Sequence, residues 1–404
     1  MNVMEVEDCL GIEFYERQPL VIERGEGNYV WDESGKKYLD FTSGWGVTCL
    51  GHAHPVITEA ICSQARKIIQ NPNSGFAYSP ARARLLLTLQ QVLPAGLNRV
   101  FFANSGAEAN DAAIKLARKI TGRTRIVSAL GSFHGRTFNT LTVSGGTQNT
   151  NRFLPQISDT AFVPFGDQAA LVEAIDGNTA AFIVEPIQGE GGVRIPLDGY
   201  LALAERLCLS HGAMLIIDEI QTGFCRTGKF FAIQHSGNPV HPDIMTMGKG
   251  IAGGFPFGAL AINDRVNSGI EKGDHGGTYC GNPLGSAVAC AVVSALQDLD
   301  IASHVSRIGK SLIEGMERLR RKYPALIREV RGVGLLTALD LGDDQLVKHV
   351  TSASLEHGLL VTPTRGGVIR LIPGLLVQEQ EIAQALSVLD KVFSNCVTPV
   401  AAAS

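Results

Sequence analysis

Along the middle of the chain, short apolar runs alternate with stretches whose apolar residues recur at helical spacing. RVFFA (99–103), RIVSAL (125–130), AAFIVEP (180–186), AMLIID (213–218), DIMTM (243–247) and FGALAI (257–262) predict strands. Between two of them, GYLALAERLCLSH (199–211) carries a stripe that predicts a helix. Strands that are apolar almost throughout, alternating with helices, indicate an α/β domain whose mostly parallel sheet is flanked by helices on both faces. This large domain is placed at 51–299. After residue 300 the texture changes. The charged helical stretch SRIGKSLIEGMERLRRKY is followed by RGVGLLTALDL and VIRLIPGLLV, which predicts a smaller α+β domain over 300–404. The N-terminal segment, 1–50, contains the hairpin-like GEGNYVWDESGKKYLDF and is expected to pack with that small domain. The tail PVAAAS reads as dispensable.

Composition narrows the class without naming a function. The chain has 404 residues, 45% of them hydrophobic and 18% charged, which suits a globular protein of two domains. A net charge of −4 with no run of Lys or Arg argues against a nucleic-acid or membrane-surface partner. The acidic start MNVMEVEDCLGIEFYERQ lacks the layout of a signal peptide, and no apolar stretch is long enough to span a bilayer. Eight scattered cysteines without a C-x-x-C pair read as reduced thiols, so a cytoplasmic protein is expected, with no metal site.

The candidate chemistry lies where strands end. AMLIID closes on Asp218 and Glu219, and the next residues, Gly223 to Lys229, spell G-x-x-x-x-G-K. A phosphate-binding loop of that type needs Ser or Thr directly after the lysine to hold magnesium, and Phe230 stands there, so an NTPase is disfavoured. Asp218 at a strand end can instead hold a positive charge on a ligand, or merely cap the next turn. In NSGAEANDAAIKLARK, Ser105 and Glu108 form an S-x-x-E capping box, and the N–H groups of Ser105, Gly106 and Ala107 can receive a phosphate. Lys249, between two glycines after DIMTM, becomes a nucleophile toward carbonyls if its amine is buried. Phosphate cradle, strand-end Asp and strand-end Lys together match the needs of pyridoxal 5′-phosphate.

On these residues the chain resembles the class III, fold-type-I aminotransferases, and within them the acetylornithine/ornithine branch. The resemblance covers nearly the whole chain through LGHAHP, NSGAEANDAAIKLARK, SFHGRT, VEPIQGEGGV, IIDEIQTGFCRTGK, PDIMTMGKG and GDHGGTYCGNPLG, in that order. It implies that Lys249 forms the Schiff base and Asp218 partners the pyridinium nitrogen. Gln221 would bond the phenolic oxygen, with Ile220 and Phe133 on the two ring faces. Ser105, Gly106 and Ala107 would hold the phosphate, and Thr278 would reach the phosphate of a neighbouring subunit, so the sites would be shared in a homodimer.

The same resemblance implies that Arg136 and Arg370 bind carboxylates. Glu190 would cover Arg370 for an ω-amino donor and yield it to glutamate. The expected reaction is a ping-pong transfer of a terminal amine from an ornithine-like donor to 2-oxoglutarate, giving an aldehyde and glutamate. Departures touch the pocket mouth. Trp45 stands where a small aliphatic residue or Tyr is usual, and QNPNSGFAYSP (70–80) differs, with Tyr78 set to line the same wall. Gly277 and Cys280 replace Ser and Gly beside Thr278. The donor therefore stays open among acetylornithine, ornithine, 4-aminobutyrate and diamines. A mutase or decarboxylase of the same fold is disfavoured by the Arg370 and Glu190 pair, and a non-catalytic binding protein is the alternative of another class.

Overall fold

The computed structural model describes residues 1–72, 74–146, 153, 159–235, 237 and 239–397. The tail PVAAAS lies outside them. The central sheet is built from β1 (Arg99–Ala103), β2 (Arg125–Ala129), β3 (Thr160–Val163), β4 (Thr179–Val184), β5 (Met214–Asp218), β6 (Ile244–Met247) and β7 (Gly258–Ile262). Their spatial order is β1-β7-β6-β5-β4-β2-β3. Pairing is parallel from β6 through β5, β4 and β2 to β3, while β7 is antiparallel to both its neighbours, β6 and β1. An antiparallel neighbour needs no crossover helix, so the link from β6 to β7 can be short and can carry Lys249 directly past the strand end.

The strand at Thr160–Val163 has no counterpart among the runs expected from sequence. It is a short edge strand, paired only to β2 among the described residues, with Val163 buried, Phe162 exposed and the other two in between. Every residue of β4, β5, β6 and β7 is buried. Alternate side chains feed opposite faces, as strand geometry dictates. Ile183, Met214, Ile216, Ile244 and Leu260 pack with Ala112, Ala113, Leu116 and Ala117 of helix α1 (Gly106–Thr121). Phe182, Leu215, Ile217, Met245 and Ala261 face the other way, in the larger core that includes helices α2 (Tyr200–His211) and α3 (Pro283–Asp298).

The C-terminal region places an antiparallel sheet, in the order Glu329–Val333, Leu336–Asp340, Val368–Leu371 and Thr362–Thr364, against helices Ile301–Lys322 and Asp344–Glu356, on which the helix Glu379–Val397 packs in turn. The N-terminal strands Ile22–Glu26, Tyr29–Asp32 and Lys37–Asp40 form a meander. Leu359 and Leu360 join it in parallel, opposite Leu39 and Asp40. Two further main-chain bonds, from Ile372 N–H to Phe41 O (2.8 Å) and from Leu375 N–H to Cys49 O (2.7 Å), tie residues 41–49 to the C-terminal region.

Candidate active site

The C-terminal ends of β1, β2, β4, β5 and β6 point to one edge of the sheet, where open α/β sheets hold their ligands. The residues just past those ends are Ser105, the 131–136 loop, Glu185, Glu219 and Lys249. At this edge lies a cavity of about 270 Å³, lined by Gly106, Ala107, Phe133, Arg136, Glu190, Asp218, Ile220, Gln221 and Lys249, together with His134, Gly135 and Glu185.

Each wall has a local cause. Ser105 caps α1 by accepting the Glu108 N–H at 3.2 Å. The expected reciprocal half of the capping box closes one residue earlier: Glu108 Oε2 accepts the main-chain and side-chain N–H groups of Asn104 (2.8 and 2.9 Å). The first helical N–H groups, at Gly106 and Ala107, have no acceptor within the helix and open on the cavity. Glycine at 106 lets Ile220 approach closely: a Cβ there would lie 2.6 Å from Ile220 Cδ1, so that side chain would have to shift.

Asp218, 3% exposed, is the last residue of β5. Its Oδ2 lies 2.7 Å from Asn110 Nδ2 and 2.7 Å from His134 Nδ1, while Oδ1 accepts the Ile220 N–H at 3.0 Å. Asn110 is itself fixed, since Thr246 Oγ1 donates to its Oδ1 at 2.6 Å. Lys249 adopts φ 44°, a left-handed conformation costly for a side-chain-bearing residue. Its amine has no hydrogen-bond or ion-pair partner among the described residues. Burial lowers its pKa, with Arg370 adding to the effect against the pull of Glu190, Asp218 and Glu185.

Arg370, on the strand Val368–Leu371, is fully buried. Its Nη1 donates to Glu190 Oε1 at 2.6 Å and to Gln221 Oε1 at 3.1 Å, while Nε and Nη2 have no partner among the described residues. Burial works against a charged Glu190, but Arg370 and Lys249 outweigh it and hold that carboxyl below its ordinary range. Arg136 has no carboxylate beside it among the described residues. It approaches only rings, 5.8 Å from Phe133 and 6.0 Å from Tyr15.

Not every expected residue lines the cavity. Trp45 is linked to it only through Gln221, whose Nε2 donates to the Trp45 carbonyl at 3.2 Å. The indole is 51% exposed and lies 6.1 Å from the Tyr15 ring. Ser43 to Gly46 all have positive φ, which turns this stretch sharply into the site. Tyr78 is fully exposed, and Thr278 is exposed with its carbonyl bound by Gln70. Within one chain, neither touches the cavity.

Asn110, His134 and Glu185 were missed as site residues from sequence. Each lies in a stretch already singled out, but one polar residue within NSGAEAN, SFHGRT or VEPIQGEGG gives no sign of where its side chain turns. The near-phosphate loop, Gly223 to Lys229, is structural. Arg226 is buried and donates to the carbonyls of Leu335 (3.2 Å) and Pro373 (2.5 Å), while Phe230 packs with Phe224 and Phe231.

The donor set fits pyridoxal 5′-phosphate. An open helix N-terminus lies where Gly106 lets Ile220 approach closely, beside a buried carboxylate and a lysine amine unpaired among the described residues. Sheet order and strand-end chemistry together define a fold-type-I pyridoxal-phosphate enzyme. A family model described as "Aminotransferase class-III" matches residues 13–393, and the chain belongs to that family. Acetylornithine aminotransferase of Methanothermobacter thermautotrophicus is 42% identical over 394 residues, 98% of this chain and 99% of that one. Among solved structures, an ornithine aminotransferase of Toxoplasma gondii, described with partial occupancy of PLP at its active site, is similar. It matches with TM-score 0.89 and 35% identity over 96% of this chain and 93% of that one. An acetylornithine aminotransferase of Elizabethkingia anophelis matches with TM-score 0.84 and 34% identity, over 97% and 98%. The protein is a transaminase of amino and keto acids that uses pyridoxal 5′-phosphate.

Proposed function

We propose that this transaminase moves the terminal amino group of an ornithine-like donor, such as acetylornithine, ornithine or another ω-amino compound, to 2-oxoglutarate. The products are an aldehyde and glutamate, formed by a ping-pong sequence in a cytoplasmic homodimer. One observation carries the donor class: Arg370 is covered by Glu190 at 2.6 Å, whereas Arg136, which lines the cavity with Glu190, is paired with no carboxylate among the described residues. A donor presenting a carboxylate at one end and an amine at the other suits the free guanidinium and the covered one. Glutamate, with two carboxylates, needs both arginines, so Glu190 has to give way for it.

When bound, pyridoxal 5′-phosphate supplies an electron sink for the carbon bearing the amine. Gly106 and Ala107, with the Ser105 N–H, would hold its phosphate, and Thr278 of a second copy would complete that cradle. Asp218 would keep the ring nitrogen protonated, with Asn110 and His134 holding the carboxylate in line. Phe133 and Ile220 would take the ring faces, and Gln221 the phenolic oxygen. Lys249 Nζ, its pKa lowered by burial, would carry the proton from the amine-bearing substrate carbon to the cofactor carbon that takes over the amine, and the other way in the second half-reaction.

The test is a donor screen with 2-oxoglutarate, including acetylornithine, ornithine and 4-aminobutyrate, followed by half-reaction kinetics of Arg370→Ala. Ornithine-like donors are expected to yield glutamate. The variant is expected to lose about tenfold or more in the glutamate half-reaction and much less in the donor half-reaction. Equal losses in both would refute the two-arginine reading.

A further inference from the structure

Glu185 has no part in the chemistry above, although it lines the same cavity. It follows the last residue of β4, is 6% exposed, and carries its carboxylate between two loops. Oε2 accepts the Phe133 N–H at 3.1 Å, and Oε1 accepts the Gly189 N–H at 3.3 Å. One carboxylate thus ties the loop that carries Phe133 and Arg136 to the turn that carries Glu190.

That turn is built to sit in one place. Gln188 and Arg194 close it with reciprocal main-chain bonds of 3.0 Å, and Gln188 Nε2 moors its root to Leu130 O at 2.9 Å. On the far side, Arg331 donates to Gly192 O from Nε (3.1 Å) and Nη2 (3.0 Å). Gly189 presses against Gln221 so closely that a Cβ would lie 1.5 Å from Gln221 Oε1. Gln221 in turn bonds both Glu190 and Arg370. Any drift of residue 189 therefore moves the seat of the Glu190–Arg370 pair. A buried carboxyl whose bonds are to main-chain N–H groups is an expensive way merely to fill space. Burial pushes its pKa up to about 7, against the pull of His134.

We infer that Glu185 is a positioning residue: by anchoring Gly189 it keeps Glu190 over Arg370, and so sets the balance between an ω-amino donor and glutamate. The inference rests on the proposed two-arginine reading. If the anchor is cut, Glu190 leaves Arg370 more readily. Glutamate then binds better and the donor binds worse, a split of opposite signs that general damage to the site does not produce.

The test measures KM for donor and for glutamate in the holoenzyme of wild type, Glu185→Gln, Glu190→Ala and the double variant. Glu185→Gln keeps the volume and one accepting oxygen but sets an NH2 group against one of the two N–H donors. It is expected to raise the donor KM and lower the glutamate KM, changing their ratio about fivefold. In the Glu190→Ala background it should change that ratio less than about twofold, because the two act as one unit. Glu185→Asp, which keeps the charge but shortens the reach, should shift the ratio in the same direction and guards against a Gln variant that fails to fold. Both KM values rising together, or a split that persists without Glu190, would overturn the inference alone. A Glu190→Ala enzyme with an unchanged ratio would overturn the two-arginine reading and the inference with it.

Discussion

Glu219, next to Asp218 in sequence, points away from the cavity and is fully buried. It accepts the Thr222 hydroxyl and, at 2.9 Å, the Ile233 N–H, and burial pushes its pKa from 4.5 up to about 7. The folded protein therefore holds this proton more tightly than the unfolded chain does. Its contribution to stability is fully present below about pH 4.5 and is lost as pH rises through about 7. Glu185 acts in the same direction. Glu219→Gln, which keeps one acceptor and can donate to Thr222, should flatten part of the fall in thermal midpoint between pH 5 and 8 relative to wild type. Parallel curves for the two proteins would show that the carboxyl does not titrate there. At this scale the sequence was readable where a residue's position alone decides its exposure to ligand. Asp218 and Lys249 stand at strand ends, which a run of apolar residues announces. Asn110 and His134 matter through where their side chains turn, and that is set by Thr246 and Asp218, far away in the chain.

At the scale of elements, the entrance to α1 is the tightest joint in the site. Gly106→Ala would press a methyl group into Ile220, and an overpacked joint of this kind costs about 1–3 kcal/mol. The strain falls on the residue pair that faces the cofactor, so the variant should fold but bind pyridoxal 5′-phosphate about tenfold more weakly in an absorbance titration of apoprotein. Unchanged affinity would place the phosphate elsewhere. The element itself was plain in the sequence, because its Ala-rich stripe and Ser105 cap need no tertiary information. The partner chosen by Glu108 was not, since Asn104 and Ser105 offer the same kind of N–H one residue apart. The edge strand Thr160–Val163 was hidden for a related reason. Four residues of which only Val163 is buried carry too little pattern to separate a strand from a loop.

On the scale of the whole molecule, Tyr78 and Thr278 lie on the surface of a single chain, away from its own cavity. If a second copy supplies Thr278, subunits of Lys249→Ala mixed with subunits of Thr278→Val should regain activity. Half of the randomly paired dimers would then carry one intact site, giving about a quarter of wild-type activity. No recovery on mixing would confine Thr278 to its own subunit. Sequence alone marks such residues but leaves open which copy they serve, because pairing between chains writes no period into either one.

Leu39 pairs with Leu359, and Leu375 holds Cys49, so the turn that bears Trp45 is fastened at both ends by residues from near the far end of the chain. On the ribosome, therefore, the central sheet can assemble with Asp218 and Lys249 already emerged while the Trp45 turn still has nothing to lean on. Long-range closures of this kind form late. The mouth of the pocket can therefore be fastened only after residues 359–375 have been made, well after the strand ends that carry Asp218 and Lys249.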